Sequence, residues 1–91
     1  MKYKRIVISG RVQGVGFRDF LRREVSLIGG LVGYAKNLKD GNVEIVVSGE
    51  DEKIKKLAEK CKKGPLLSAV RDVSISEMEL EDEYDSFVIR M

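Results

Sequence analysis

The alternation of apolar and polar residues along the chain predicts five strands and two helices. The strand-like runs lie at residues 5–12, 31–38, 43–48, 70–80 and 87–89. Helical spacing of apolar residues replaces strand alternation in two stretches, residues 17–28 and residues 50–63. The predicted order of elements is therefore β-α-β-β-α-β, followed by a short C-terminal strand.

Glycine and proline mark the ends of the predicted elements. Gly29-Gly30 ends the first helix, and Gly64-Pro65 ends the second, which begins with acids and finishes with lysines as the helix dipole favours. Asp40-Gly41 is a hairpin signal between the second and third strands. In the fourth strand the apolar parity changes between Ile75 and Met78, which predicts a β-bulge or a bend there.

This order of elements is typical of the ferredoxin-like fold, an α+β sandwich with an antiparallel-rich sheet and both helices on one face. The continuous apolar run Ile6-Val7-Ile8 predicts an internal first strand. A chain of 91 residues can build one hydrophobic core, so we expect a single domain over residues 1–91.

Composition limits the possible compartments and cofactors. No apolar run approaches the roughly 18 residues of a membrane span, and the first residues lack the apolar core of a signal peptide. We therefore expect a cytoplasmic protein without membrane association. The one cysteine, Cys61, has the spacing of a helix core residue, so we expect it to pack rather than react, with no disulfide, metal or cofactor.

Charge and aromatic content argue against nucleic-acid binding. The formal net charge is only +2, although residues 1–30 carry seven Lys/Arg against two acids and residues 76–91 carry six acids against one arginine. RNA recognition by a βαββαβ domain needs aromatic side chains on the central strands, and residues 43–48 contain none. Of the three functions considered in this section, RNA binding is thus the least favoured.

The stretch from Ile8 to Arg18 predicts an anion-binding cradle. Gly14 and Gly16 let the backbone turn with its N–H groups inward, and a helix beginning there adds unpaired donors. Arg18 supplies a planar charged fork that suits phosphate. The alternative is a simple tight connection with a solvated Arg18. The stretch matches neither the P-loop nor the dinucleotide fingerprint.

The chain contains no histidine, so it lacks the usual acid/base and nucleophile pairs. A reaction at the cradle must then need little proton transfer. Acyl phosphate hydrolysis meets that condition, because its leaving group is a carboxylate that is stable near neutral pH. Charge stabilisation and a positioned water are sufficient, and N–H groups, an arginine and an amide can supply them.

Two long motifs resemble those of the acylphosphatase family. The first, [Leu/Ile/Val]-x-Gly-x-Val-Gln-Gly-Val-x-[Phe/Met]-Arg, is met at every fixed position from Ile8 to Arg18. The second combines Gly33-Tyr34-Ala35-Lys36-Asn37 with three downstream residues, Gly41, Val43 and Gly49. Weaker matches at Gly64-Pro65 and at residues 87–90 extend the resemblance over nearly the whole chain.

The resemblance implies a hydrolase that splits the carboxyl-phosphate bond of small acyl phosphates, giving carboxylate and inorganic phosphate without metal or cofactor. It implies that Arg18 is the catalytic, phosphate-binding arginine and that Asn37 orients the attacking water. The residues that would offer backbone N–H groups to the phosphate are Gln13, Gly14, Val15, Gly16 and Phe17. Lys36 and Asp40 are expected to be surface and turn residues.

Two departures from the family pattern and one alternative function accompany this prediction. The junction at residues 29–33 is a residue longer than is common, which could shift Asn37 relative to Arg18, and Asp19 places a negative charge beside the arginine. The alternative is a non-catalytic anion-binding or interaction module, such as the acylphosphatase-like portion of larger carbamoyl-transferring proteins. For either function we expect a monomer that binds a small molecule and no nucleic acid.

Overall fold

The computed structural model describes residues 1–91 and contains every predicted element, with ends within three residues of the prediction. The strands are β1 (Lys2–Arg11), β2 (Val32–Asn37), β3 (Val43–Ser48), β4 (Ala69–Glu79) and β5 (Phe87–Arg90). The helices are α1 (Phe17–Ile28) and α2 (Asp51–Lys63). Neither helix is both long enough and apolar enough to cross a membrane.

The five strands form one sheet in the order β4-β1-β3-β2-β5. β1 is internal, as predicted, and runs antiparallel to both β3 and β4. β2 runs antiparallel to β3 and parallel to the short β5. This topology, with both helices on one face, confirms the ferredoxin-like α+β fold.

The core lies between the helices and one face of the sheet. It contains 15 buried residues, which come from β1, β2, β3, both helices and the flanking positions Val12 and Leu31. Its largest fully buried side chains are those of Ile6, Ile8, Val12, Phe17, Leu21, Val43, Ile45, Val47, Leu57 and Cys61. Cys61 is thus a packing residue, as expected, and its burial, together with the nearby charge of Glu24, raises the pKa of its thiol to about 12.

The opposite face of the sheet carries a smaller aromatic cluster. Tyr3 and Tyr34 are buried there with Val46, and the segment between β4 and β5 packs over them. The backbone N–H of Tyr84 donates a hydrogen bond to the hydroxyl of Tyr3, and the ring of Tyr84 lies against the ring of Tyr34. Arg90 stacks over the Tyr34 ring at 4.7 Å. These contacts bury the aromatic side chains of this face.

The predicted bulge between Ile75 and Met78 is wrong. Pairing with β1 is continuous there, since Ile75 faces Ile6 and Met78 faces Tyr3. The apolar parity changes because β4 contributes to both faces of the sheet: Val73 packs on the helix-side core, while Met78 packs on the Tyr3 cluster.

The irregularity in β4 lies nearer its start. Ser9 pairs with Asp72 while Gly10 pairs with Val70, which leaves Arg71 as the extra residue of a bulge. Gly10 is at a φ of 119°, and a side chain there would collide with the carbonyl oxygen of Ala69. The bulge therefore brings the two backbones together just before β1 ends.

Candidate active site

The predicted cradle, residues 13–17, lies at one end of the sheet between two chain turns. β1 ends at Arg11, which pairs with Ala69 at the start of β4, so the turn of residues 64–68 is on one side of it. On the other side, β3 and β2 place the turn of residues 38–42. The helix-side core anchors the cradle through Val12, Val15 and Phe17.

The cradle backbone presents a row of unpaired donors. Gly14 and Gly16 have positive φ angles of 70° and 86°, and nothing lies within 4 Å of where a Cβ would be at either. No protein group accepts a hydrogen bond from the backbone N–H of residues 13–19. The first N–H of α1 that bonds is that of Phe20, to the carbonyl oxygen of Gly16 at 3.1 Å. Seven donors thus accumulate at the positive end of a helix.

Arg18 projects from the first turn of α1 into solvent, because Phe17 and Phe20 take the buried face of the helix. Its guanidinium makes no hydrogen bond or ion pair within the protein. Asp19, which follows it, instead pairs with Arg22 at 3.3 Å. The carboxylate of Asp19 therefore pairs with Arg22 and not with Arg18.

Asn37 is the last residue of β2 and is exposed. Asn37 pairs with Val43, and Val43 pairs with Ile8, the first residue of the motif that ends at Arg18. Asn37 and Ile8 are therefore at the same level of the sheet, on either side of β3. Ala35, two residues earlier, belongs to the helix-side core, and Asn37 shares that face of the sheet with α1. Its side-chain amide makes no hydrogen bond within the protein.

The glycine junction before β2 does not disturb this register. Gly29 and Gly30 both have positive φ, and β2 begins at Val32. Gly33 lies so close to β3 that a side chain would collide with the carbonyl oxygen of Val46. Pairing with β3 continues without a break from Val32 to Asn37.

Gln13 has a role that its sequence context did not suggest. Its Nε2 donates hydrogen bonds to the carbonyl oxygens of Leu38 at 2.8 Å and Asn42 at 2.9 Å. Asp40 is a turn residue, as expected, and its Oδ1 accepts the N–H of Asn42 at 3.0 Å. The side chain of Gln13 therefore joins the cradle to the turn that follows Asn37, a contact for which a loop glutamine gives no local signal.

Electrostatics distinguishes this end of the sheet from the other. Four basic side chains near the cradle have no acidic partner within ion-pair distance: Arg11, Arg18, Lys39 and Arg71. A concavity of about 520 Å³ lies at the opposite end, where Asp51, Glu77 and Glu79 line it together with Lys2 and Lys4. There, a hydrogen bond of 2.8 Å raises the pKa of Lys4 and lowers the pKa of Glu77. We place the candidate site at the end where the four unpaired basic side chains lie.

Comparisons with known proteins show which family the chain resembles. A family model described as Acylphosphatase matches residues 4–89. An acylphosphatase of Methanocella arvoryzae is 46% identical over 79 residues, which cover 87% of this chain and 89% of that protein.

Two solved structures resemble the fold closely. The crystal structure of acylphosphatase from Bacillus subtilis superimposes with a TM-score of 0.88 at 37% identity and covers 100% of both chains. The HypF protein of T. kodakarensis superimposes with a TM-score of 0.85 at 35% identity, over 99% of this chain but only 12% of that one. The same fold thus occurs both alone and as a small part of a larger protein.

Proposed function

This chain belongs to the acylphosphatase family of hydrolases, and we propose that its phosphate site is formed by the backbone of residues 13–17 with Arg18, and that Asn37 orients the attacking water. The substrate class of the family is small acyl phosphates, and inorganic phosphate is a product. The observation that carries the proposal is the coincidence of seven unpaired backbone N–H groups with an unpaired arginine at one helix start.

The chemistry needs little more than these groups. The N–H donors and Arg18 bind the phosphoryl oxygens and stabilise the charge that they carry in a loose transition state. Water held by the Asn37 amide attacks phosphorus, the bond from phosphorus to the carboxyl oxygen breaks, and the carboxylate leaves with the bonding electron pair. The water contributes its oxygen and one proton to inorganic phosphate, and its second proton goes to another phosphate oxygen or to solvent. No histidine is required, because the leaving group is already a stable anion.

The proposal extends to how the protein works as a whole. The 91 residues act as one domain and as a monomer, and the reaction proceeds without metal. The free, buried Cys61 suits a reducing compartment such as the cytoplasm. Nucleic acid is not a partner, since Tyr3 and Tyr34 on the open face of the sheet are buried rather than available for base stacking.

A direct assay tests this function. Acetyl phosphate or benzoyl phosphate is incubated with the protein in the presence of EDTA, and released phosphate is measured against the uncatalysed rate. We expect multiple turnovers that chelator does not reduce, with competitive inhibition by inorganic phosphate. An activity that EDTA abolishes would contradict the metal-free part of the proposal.

The second candidate is a non-catalytic anion-binding module. The observation that favours it is the match to about one-eighth of a much larger protein, HypF of T. kodakarensis. Phosphate binding in calorimetry without any turnover of acetyl or benzoyl phosphate would support this candidate over the first.

A further inference from the structure

Two adjacent leucines are unusually exposed beside the cradle. Leu66 is 97% exposed and Leu67 is 71% exposed, and both belong to the turn of residues 64–68. One other leucine, Leu27 near the end of α1, has comparable exposure at 74%. Two neighbouring leucines at the tip of a turn give up the favourable burial of apolar surface, and exposed apolar surface of this kind often marks a site of contact with a ligand or partner.

The turn that carries these leucines is well fixed. Gly64 ends α2 at a φ of 67°, and its N–H donates to the carbonyl oxygen of Lys60. The backbone N–H and hydroxyl of Ser68 both donate to the carbonyl oxygen of Pro65, at 3.0 Å and 2.7 Å. The leucines at the tip are therefore presented by a closed turn rather than by a loose loop.

The same turn packs on the first residue of α1. A Cβ built on Gly64 would lie 3.2 Å from the ring of Phe17 and 3.1 Å from the side chain of Val70. Phe17 directly precedes Arg18, and the next strand residue, Ala69, pairs with Arg11 just before the cradle. The turn of residues 64–68 thus forms one wall of the site, and the polar turn of residues 38–42 forms the other.

Displacement at phosphorus places the attacking water beside one of these two turns and the leaving acyl group beside the other. In phosphoryl transfer the attacking and leaving oxygens lie on opposite sides of phosphorus, roughly in line. If Asn37 holds the attacking water on the β2 side of the cradle, the acyl oxygen leaves toward the β4 side. The β4 side is where Leu66 and Leu67 are found.

We propose that Leu66 and Leu67 contact the acyl group of the bound substrate and favour acyl phosphates with an apolar acyl group, such as benzoyl phosphate, over acetyl phosphate. This inference rests on the proposed function, because it takes the positions of phosphate and water from it. The opposite turn, residues 38–42, is hydrogen-bonded to Gln13. Leu66 and Leu67 are therefore specificity-determining residues at the rim of the cradle.

The test compares substrates within each variant. The value of kcat/KM is measured for acetyl, butyryl and benzoyl phosphate with the wild type, the double variant Leu66→Ser/Leu67→Ser, and the matched control Leu27→Ser. The double variant should lower the benzoyl-to-acetyl ratio about 3-fold to 10-fold, as expected for partial loss of apolar contact on an open rim. The ratio should stay within about 2-fold of wild type in Leu27→Ser, since that leucine lies at the far end of α1.

The outcomes separate this inference from the proposed function. Inhibition by inorganic phosphate should be unchanged in the double variant, because the cradle is intact. If hydrolysis depends on Arg18 but the double variant has the same benzoyl-to-acetyl ratio of kcat/KM as the wild type, this inference alone is overturned. It is also overturned if gel filtration shows that the double variant differs from the wild type only in self-association. A wild type that hydrolyses none of the three substrates would overturn the inference together with the proposed function.

Discussion

The side-chain amide of Gln13 donates a hydrogen bond of 2.8 Å to the backbone carbonyl oxygen of Leu38, the residue that follows Asn37. This contact spans from the connection after β1 to the turn after β2, 25 residues apart in sequence. The cradle and the water-orienting amide that we propose are thus held together by one side chain as well as by the sheet. Precision in their relative position matters, because a misplacement of about 1 Å can slow catalysis on the order of 100-fold.

Replacing Gln13 should therefore affect both stability and rate. In Gln13→Leu both donor bonds are lost, and we expect the free energy of unfolding to fall by about 1–3 kcal/mol and kcat to fall at least about tenfold. Gln13→Glu has nearly the same shape, but near pH 7 its carboxylate faces two carbonyl oxygens without a proton to donate, so its loss should be larger. Denaturant unfolding and acyl phosphate kinetics measure the two effects. A Gln13→Glu protein with wild-type kcat would show that the contact is dispensable.

Arg18 should matter for activity and hardly at all for stability. Arg18→Gln removes the charged donor from the cradle, and kcat/KM should fall on the order of 100-fold to 1000-fold. Because Arg18 is exposed and makes no hydrogen bond or ion pair in the protein, the unfolding free energy should change by less than about 0.5 kcal/mol. The matched control is Arg22→Gln, one helical turn further along α1, which loses an exposed pair with Asp19. Its activity should remain within about twofold of wild type, and equal losses in both variants would contradict the assignment of Arg18.

Asn37 should act on turnover rather than on phosphate affinity. In Asn37→Ala we expect kcat to fall on the order of 100-fold, because the amide that positions water is gone. The inhibition constant of inorganic phosphate should change by less than about threefold, since the N–H donors and Arg18 are retained. Steady-state kinetics with and without added phosphate measure both quantities. A large rise in that inhibition constant with unchanged kcat would make Asn37 a phosphate ligand instead.

Alkaline pH should destabilise the fold through Cys61. Burial raises the pKa of the native thiol from 9.0 to about 12, so above pH 9 the unfolded chain loses a proton that the native protein keeps. The unfolding free energy must then fall as pH rises between pH 9 and pH 12, and below pH 9 this group contributes no pH dependence. The stability difference between wild type and Cys61→Ala should shrink by about 1 kcal/mol from pH 9 to pH 10. Urea unfolding under reducing conditions measures it, and a constant difference would mean that the thiol ionises equally in both states.

Much of the fold follows from local rules that the sequence obeys. Gly29 and Gly64 were predicted as helix ends, and both have positive φ with their N–H bonded to the carbonyl four residues earlier. The Asp40-Gly41 hairpin is confirmed, with Gly41 at a φ of 95° and its N–H bonded to Leu38. The internal position of β1 also follows from its unbroken apolar run. These features depend on backbone preference and apolar periodicity, which a single sequence displays.

The remainder depends on contacts between distant segments. Strand parity alone does not reveal that Val73 and Met78 pack on opposite faces of the sheet, and it therefore predicts a bulge at the wrong place. The bulge lies at Arg71. Likewise, no local pattern indicates which way the amide of Gln13 points. At the site, Arg18 and Asn37 were identified from motifs, and their catalytic roles stay predictions until the variants above are measured.

The pairing of β1 with β4 also governs how the molecule reaches its native state. The partners in this ladder are separated by 58 residues at one end, from Arg11 to Ala69, and by 77 at the other, from Lys2 to Glu79. Closing such long loops costs chain entropy before the ladder returns any stabilisation, so folding is slower than in helical proteins of this size, where contacts are local. The cradle begins where this ladder ends, so its geometry depends on the pairing of two segments that are far apart in sequence.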